Sequence, residues 1–95
     1  LWSNPFSRAC EVAADLRSEV DVLVALTHIG HVNDRQLAER CQDIDIILGG
    51  HSHTVIENPE RVHNSWVAQT GSHGRFFGRY EWNGRELVGG LTPLP

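Results

Sequence analysis

The first half of the chain alternates helical and strand patterns, and this order constrains the fold more than any other feature. Apolar residues recur at three- and four-residue steps over residues 6–18, which predicts an amphipathic helix. The β-branched apolar run at residues 20–26 follows at once and is typical of a strand buried on both faces of a sheet. A short helix and a second buried strand, residues 44–48, come next. The order helix, strand, helix, strand predicts a parallel α/β layer.

The helix between the two strands is expected to begin at a side-chain cap. Asn33 and Asp34 are both suitable, because their side-chain oxygens accept hydrogen bonds from the free backbone N–H groups of a first helical turn. The apolar side of this helix carries Leu37, Ala38 and Cys41. Such one-sided patterning fits a helix that lies on a sheet.

The second half of the chain changes character and indicates antiparallel strands. A turn at residues 58–60 opens it, and the Asn83-Gly84 pair is a strong hairpin-turn signal. The closing residues 92–95 have the composition of a linker. We therefore expect an α/β fold in which a parallel βαβ-type unit is followed by antiparallel strands. These later strands are predicted at residues 66–69, 76–82 and 86–88.

Composition excludes some classes of partner. The eight basic residues are all arginine and are scattered among twelve acidic ones, for a net charge of −4, so nucleic acid is not expected as a partner. The longest apolar run, residues 22–26, is far shorter than the roughly 20 residues of a membrane-spanning helix, so no transmembrane segment is predicted. The chain begins at Leu1 and contains no methionine, which indicates a fragment or a processed form.

Two cysteines, Cys10 and Cys41, are present in the sequence. Buried thiols that behave as small hydrophobes are the expected state, because free cysteine is among the most buried residue types. A disulfide requires Cα atoms within about 7 Å of each other, and spacing along the chain does not establish that distance. The redox compartment therefore stays open.

Histidines follow both predicted strands, His28 after the first and His51 and His53 after the second. The loops at the carboxyl ends of parallel strands form the ligand crevice of open α/β sheets, so these three residues are expected to be neighbours. Gly49 and Gly50 permit close backbone approach, and an extended backbone would place the rings of His51 and His53 on one side. Three imidazoles indicate a transition-metal site. Solvated histidines in a turn are the alternative, because a histidine pair two apart is a weak pattern.

The other histidines and the nearby aspartates are expected to be loop or surface residues. His31 is expected at a solvated loop position, with a substrate-facing role as the alternative. His63 is expected at the surface, and so is His73, for which a substrate contact is the alternative. The aspartates expected at helix starts or in loops, and not as metal ligands, are Asp34, Asp43 and Asp45.

Three ordered segments carry a family resemblance: Thr27-His28-Ile29-Gly30-His31, Gly49-Gly50-His51-Ser52-His53 and residues 67–79. Together they resemble the C-terminal half of the catalytic domain of the 5′-nucleotidase family, within the calcineurin-like metallophosphoesterases. The resemblance covers most of residues 6–90 and implies a four-layer αββα sandwich. Residues 1–95 would then be one part of that catalytic domain.

The resemblance also implies a dinuclear site with two divalent ions, such as zinc or manganese. By this resemblance His28 and His51 bind one ion, and His53 belongs to the other. In such enzymes the ions activate a hydroxide that attacks phosphorus and neutralise the phosphate oxygens. The implied substrate is a small-molecule phosphate ester, in particular a nucleotide monoester.

Several motifs of the family are absent from these residues. They are an Asp-x-His pair, a Gly-Asp with the bridging aspartate, an Asn-His-Glu, and the separate nucleoside-binding domain. No catalytic acid or base is therefore assigned, and negligible turnover is expected of the 95-residue chain alone. Self-association or pairing with the missing half is expected, since a part of a sandwich exposes apolar sheet faces. Export to the periplasm or cell surface fits the family.

Three other functions stay open at this point. A relative within the superfamily would act on cyclic nucleotides, nucleotide sugars or sulfur-linked substrates. A non-catalytic metal-binding or interaction module would keep the three-histidine crevice without turnover. In a small α/β domain without metal, replacement of the three histidines would leave metal content and stability unchanged.

Overall fold

The computed structural model describes residues 5–71 and 74–94 of the chain. Within these residues, helices and strands alternate through the first half and strands alone follow. Neither helix in the described part of the chain is long and apolar enough to cross a membrane. The elements are α1 (Pro5–Arg17), β1 (Val24–Leu26), α2 (His31–Arg40), β2 (Ile46–Leu48), β3 (Glu60–Val62), β4 (Ser65–Ala68), β5 (Phe76–Trp82) and β6 (Leu87–Pro93).

The strands form a four-stranded sheet of order β1-β2-β4-β3 and a separate hairpin of β5 with β6. β1, β2 and β4 are mutually parallel, and β3 is antiparallel to β4. This arrangement confirms the expected α/β class, with a parallel unit followed by antiparallel strands. Asn83 closes the hairpin as expected, because its side-chain oxygen accepts the N–H groups of Arg85 and Glu86 at 2.9 and 2.8 Å.

The hydrophobic core lies between the sheet and the two helices. At its centre, Ile47 of β2 and Val67 of β4 are direct register partners, and both are fully buried. Leu37 and Ala38 of α2 pack into the same cluster, as does Ala13 of α1. Complete burial of a side chain such as Ile47 stabilises the fold by about 1.5–3 kcal/mol.

A disulfide bond joins Cys10 of α1 to Cys41, the residue that ends α2. The Cα atoms lie 5.0 Å apart, so the expectation of two free thiols is wrong. The bond forms because α1 and α2 lie side by side on the sheet. That relation is tertiary, and the sequence separation of 31 does not reveal it.

β1 differs from the expected strand in length and burial. It begins at Val24, because the backbone N–H of Leu23 donates to the Asp45 carboxylate at 2.9 Å. Val24 and Leu26 are 44% and 81% exposed, so the expectation of burial on both faces is wrong. In the described part of the chain, β1 is an edge strand that pairs with β2 alone, so it lacks a neighbouring strand on its other side.

Other boundaries also differ from expectation. β2 begins at Ile46 and not at residue 44. α2 begins at His31 with Gly30 as the N-cap residue and no side-chain cap, so Asn33 and Asp34 lie inside the helix. The expected linker is wrong for Thr92 and Pro93, which belong to β6, while Pro95 lies outside the described residues.

One strand, β3 (Glu60–Val62), was not predicted from the sequence. It is only three residues long and pairs with β4 alone, at the edge of the four-stranded sheet. A strand this short carries too few residues for an alternating pattern to stand out from a polar loop.

Candidate metal centre

His28 and His51 meet at the carboxyl ends of β1 and β2. The two strands pair in parallel with Leu26 opposite Leu48, so the loops that follow them leave the same edge of the sheet. A hydrogen bond from the Gly30 N–H to the Gly50 carbonyl, 3.1 Å long, joins the two loops. The ring nitrogens His28 Nε2 and His51 Nδ1 lie 3.3 Å apart, in a hydrogen bond whose donor depends on the tautomers.

This spacing fits two ligands of one metal ion. Two imidazole nitrogens bound to one tetrahedral zinc at 2.0–2.1 Å would be about 3.3–3.4 Å apart. His28 and His51 are both exposed, so an ion can reach them from solvent. Across residues 5–71 and 74–94, however, no group of three or more histidine, cysteine or acidic side chains is close enough to hold an ion.

His53 does not join His28 and His51 in a three-histidine group. The backbone has φ 77° at His51 and φ 58° at His53, so the loop is left-handed at both residues. The backbone is therefore not extended at these two residues, so the condition for placing both rings on one side is not met. Left-handed residues other than glycine cost about 1–3 kcal/mol each and persist where the surroundings hold them.

The glycines before His51 closely approach two other residues. A Cβ at Gly49 would lie 1.9 Å from Oδ2 of Asp34, and one at Gly50 would lie 3.3 Å from Nδ1 of His28. The interpretation of this pair as a site of close backbone approach is confirmed.

Asp34 is fully buried beside this glycine pair. Its Oδ1 accepts a hydrogen bond from the Thr27 hydroxyl at 2.6 Å, whereas its Oδ2 has no hydrogen-bond partner among the described residues. Burial raises the pKa of the Asp34 carboxyl, and the Thr27 hydrogen bond and the charge of His31 oppose that rise. Asp34 lies in the first turn of α2, as expected of a helix-start residue, but its burial was not foreseen.

His31 is held by an acidic partner and is not a solvated loop residue, so that expectation is wrong. Its Nε2 contacts Oε1 of Glu60 on β3, and Oε2 of the same carboxylate accepts a hydrogen bond from Arg35 at 2.8 Å. The contact depends on β3, which the sequence did not reveal. Glu60 therefore ties the start of α2 to the edge of the sheet.

The remaining residues considered from the sequence have structural or surface positions. His63 is exposed, as expected. Asp43 lies in the loop before β2, and Asp45 accepts hydrogen bonds from Arg17 and from a backbone N–H, so both match the expected loop roles. His73 lies outside the described residues.

A hydrogen-bond network that sequence reasoning missed surrounds the loop of His51 and His53. The hydroxyl of Ser52 accepts the His31 N–H at 3.0 Å and contacts the Thr54 hydroxyl at 2.7 Å. The N–H of Thr54 in turn donates to the side-chain oxygen of Gln69 at 2.9 Å. The only sign of this network in the sequence was that Ser52 and Thr54, two residues with hydroxyl groups, alternate with His51 and His53.

Comparison with known proteins identifies related sequences and folds. No family model matches the chain. The chain is 37% identical over 86 residues to the trifunctional nucleotide phosphoesterase protein YfkN of Bacillus subtilis (strain 168), a match that covers 85% of this chain and 6% of that protein. Its structure is similar to the sulfate thiohydrolase SoxB of Thermus thermophilus in complex with glycerol. That similarity has a TM-score of 0.85 at 31% identity and covers 96% of this chain and 18% of the other.

A third similarity is to a Staphylococcus aureus structure assigned as a 5′-nucleotidase, in complex with alpha-ketoglutarate. It has a TM-score of 0.72 at 22% identity and covers 98% of this chain and 22% of the other, and at this identity it shows the fold alone. The chain thus spans less than a quarter of the length of each of these proteins. The expected metallophosphatase fold is confirmed.

Proposed function

Because this chain belongs to the 5′-nucleotidase family of metallophosphoesterases, we propose that residues 1–95 form the C-terminal half of the catalytic domain of a metal-dependent phosphoric ester hydrolase. The family is one of hydrolytic phosphoesterases that generally use divalent metal ions. The name of the nucleotide phosphoesterase at 37% identity supports a nucleotide as substrate. The observation that carries the proposal is the approach of His28 to His51.

In this proposal His28 and His51 are ligands of one divalent ion, and His53 is a ligand of a second. The 3.3 Å between the facing ring nitrogens supports the first pair, since it equals the separation that one tetrahedral ion requires. Zinc or manganese would suit the site, and carboxylates from elsewhere in the protein would complete the shell for manganese.

The metal ions and the residues of this chain would have different roles in the reaction. When bound, the ions would supply positive charge that neutralises phosphate oxygens and lowers the pKa of a water. The residues of this chain orient the ligands: the Gly30–Gly50 hydrogen bond fixes the two loops relative to each other, and the absent Cβ of Gly50 makes room for the His28 ring. None of the described residues is assigned as a catalytic acid or base.

The proposal includes a partner for the exposed face of β1. Leu26 and Val24 are large apolar residues that a stable domain would cover. The N-terminal half of the catalytic domain is the proposed partner, with self-association of this chain as the alternative. The Cys10–Cys41 disulfide supports an oxidising compartment such as the periplasm or cell surface, because disulfides are rare in cytosolic proteins.

A second candidate function is hydrolysis of a sulfur-linked substrate. The similarity to the sulfate thiohydrolase favours it, because its TM-score of 0.85 and identity of 31% exceed those of the nucleotidase-like structure. The histidine pair would hold the metal in both cases, so only the substrate differs.

Metal content per chain tests the proposal directly. After dialysis against zinc or manganese, elemental analysis should find metal in the parent chain and none above background in the His28→Ala/His51→Ala double variant. His63→Ala is the matched control, because His63 is an exposed histidine that also has a positive φ, 52°. Equal metal content in the parent and the double variant would contradict the assignment of this pair.

A further inference from the structure

We infer that Gln69 is a positioning residue that holds the loop of residues 51–54 and thereby sets the places of His51 and His53. This inference rests on the proposed function, which makes the two histidines metal ligands. Gln69 follows the last residue of β4 and is 2% exposed. The sequence analysis placed it in a predicted strand and in a segment of the family resemblance, but assigned it no functional role.

The side chain of Gln69 binds the loop at its far end. Its Oε1 accepts the backbone N–H of Thr54 at 2.9 Å and lies 3.5 Å from the hydroxyl of Ser52. The backbone of Gln69 holds the next segment as well, since its carbonyl accepts the N–H of Ile56 at 3.1 Å. A single residue that directly follows β4 therefore contacts both the loop and the segment after it.

The near end of the loop is held through Ser52. Its hydroxyl accepts the N–H of His31 at 3.0 Å and contacts the hydroxyl of Thr54 at 2.7 Å. Ser52 is thus linked to the first residue of α2, and Thr54 to the residue that follows β4, while His51 faces His28. The positive φ angles of His51 and His53 need such support, because surrounding contacts must hold residues other than glycine in this conformation.

Packing alone does not explain a glutamine at this buried position. Its Nε2 has no hydrogen-bond partner among the described residues, and a buried donor in that state is unfavourable. A leucine would fill a similar volume without that unpaired donor. The glutamine amide supplies an oxygen that accepts the Thr54 N–H, and leucine has no such acceptor. The structure therefore favours loop positioning as the reason for a glutamine here.

Three variants separate this role from a general effect on the fold. Gln69→Leu removes the acceptor, and Gln69→Glu retains an acceptor oxygen at the same reach. Tyr80→Phe is the control, because the Tyr80 hydroxyl is another buried polar atom without a hydrogen-bond partner among the described residues. Tyr80 and Gln69 also line one cavity of about 270 Å³. If Gln69→Leu does not fold, Gln69→Asn takes its place, since it keeps the amide on a shorter side chain.

Zinc affinity by calorimetry and hydrogen exchange of the Thr54 amide are the two readouts. We expect zinc to bind about 10–100-fold more weakly to Gln69→Leu than to the parent, in line with the loss of other groups that orient metal ligands. Exchange of the Thr54 amide should become faster in the same variant. Gln69→Glu should keep the zinc affinity and the Thr54 exchange rate close to those of the parent. Tyr80→Phe should leave both quantities unchanged.

The two proposals fail separately in this experiment. A folded Gln69→Leu variant with the zinc affinity and Thr54 protection of the parent overturns the inference and leaves the metal assignment intact. A parent chain without zinc binding contradicts the proposed function, and Thr54 exchange then decides the role of Gln69. Protection lost in Gln69→Leu and kept in Gln69→Glu supports positioning, whereas unchanged protection overturns it.

Discussion

Nε2 of His28 and Nδ1 of His51 lie 3.3 Å apart, although 23 positions separate the two residues along the chain. The parallel pairing of β1 with β2 produces this approach, because it aligns the carboxyl ends of the two strands and the loops that follow them. A helix of ten residues, α2, makes the crossover between the strands. The disulfide, the buried Asp34 and the contacts of Glu60 all involve α2 or the residue that follows it. Removal of each one therefore tests separately what holds α2 in place.

Substitution of Gly49 by alanine should destabilise the fold by about 1–3 kcal/mol, the usual cost of overpacking. The new Cβ would lie 1.9 Å from Oδ2 of Asp34, which is buried and cannot move freely. Urea unfolding measures the effect. Gly50→Ala is the control with a smaller expected loss, because its Cβ would meet the exposed His28 ring at 3.3 Å. An equal loss in both variants would count against a role for Asp34 in requiring glycine.

Reduction of the Cys10–Cys41 disulfide should lower the free energy of unfolding by about 3–4 kcal/mol, the loop-entropy value for cysteines 31 residues apart. Urea unfolding with and without a thiol reductant gives the difference. A Cys10→Ser/Cys41→Ser variant should show the reduced stability under both conditions. A parent chain with the same midpoint in both conditions would show that the bond does not hold α1 to α2.

Asp34→Asn should change how stability depends on pH. Because burial raises the pKa of Asp34 in the folded chain above 3.8, the native state binds more protons than the unfolded chain between the two pKa values. The free energy of unfolding of the parent should therefore fall as pH rises through that window and stay lower above it.

The amide that replaces the Asp34 carboxyl in this variant does not titrate, so the pH profile of the variant should lack the Asp34 contribution to that fall. Thermal unfolding across the acid to neutral range measures both profiles. Asp15→Asn, at an exposed aspartate of α1, controls for the change in net charge. Parallel profiles for the parent and Asp34→Asn would contradict the expected effect of burial.

Glu60→Gln should cost about 0.5–1 kcal/mol of stability, within the range of partly exposed ion pairs. The substitution replaces the negatively charged Glu60 carboxylate, which contacts His31 and accepts a hydrogen bond from Arg35, with a neutral amide. The loss should shrink at high salt, which urea unfolding at two ionic strengths can measure. Glu81→Gln is the matched control without a measurable change, because its pair with Arg79 is long, 3.8 Å, and largely exposed. A salt-independent loss would indicate packing and not charge.

Local patterns in the sequence determined the order of the elements and several of their limits. The alternating run of residues 76–82 coincides with β5, and Asn83 closes the hairpin through its own side chain, so both depend on neighbours in sequence. The positions of His28 and His51 after two apolar strands were also readable, because parallel strands bring their carboxyl ends to one edge. The role of His53 as a metal ligand stays a prediction.

Other contacts between residues far apart in the sequence were decided by the tertiary structure alone. The Cys10–Cys41 bond and the contact of His31 with Glu60 join residues 31 and 29 positions apart. Neither pairing follows from periodicity, since each depends on how a helix lies against another element. The burial of Asp34 and Gln69 has the same origin: a polar side chain becomes buried when surrounding elements close over it, and no local pattern carries that information.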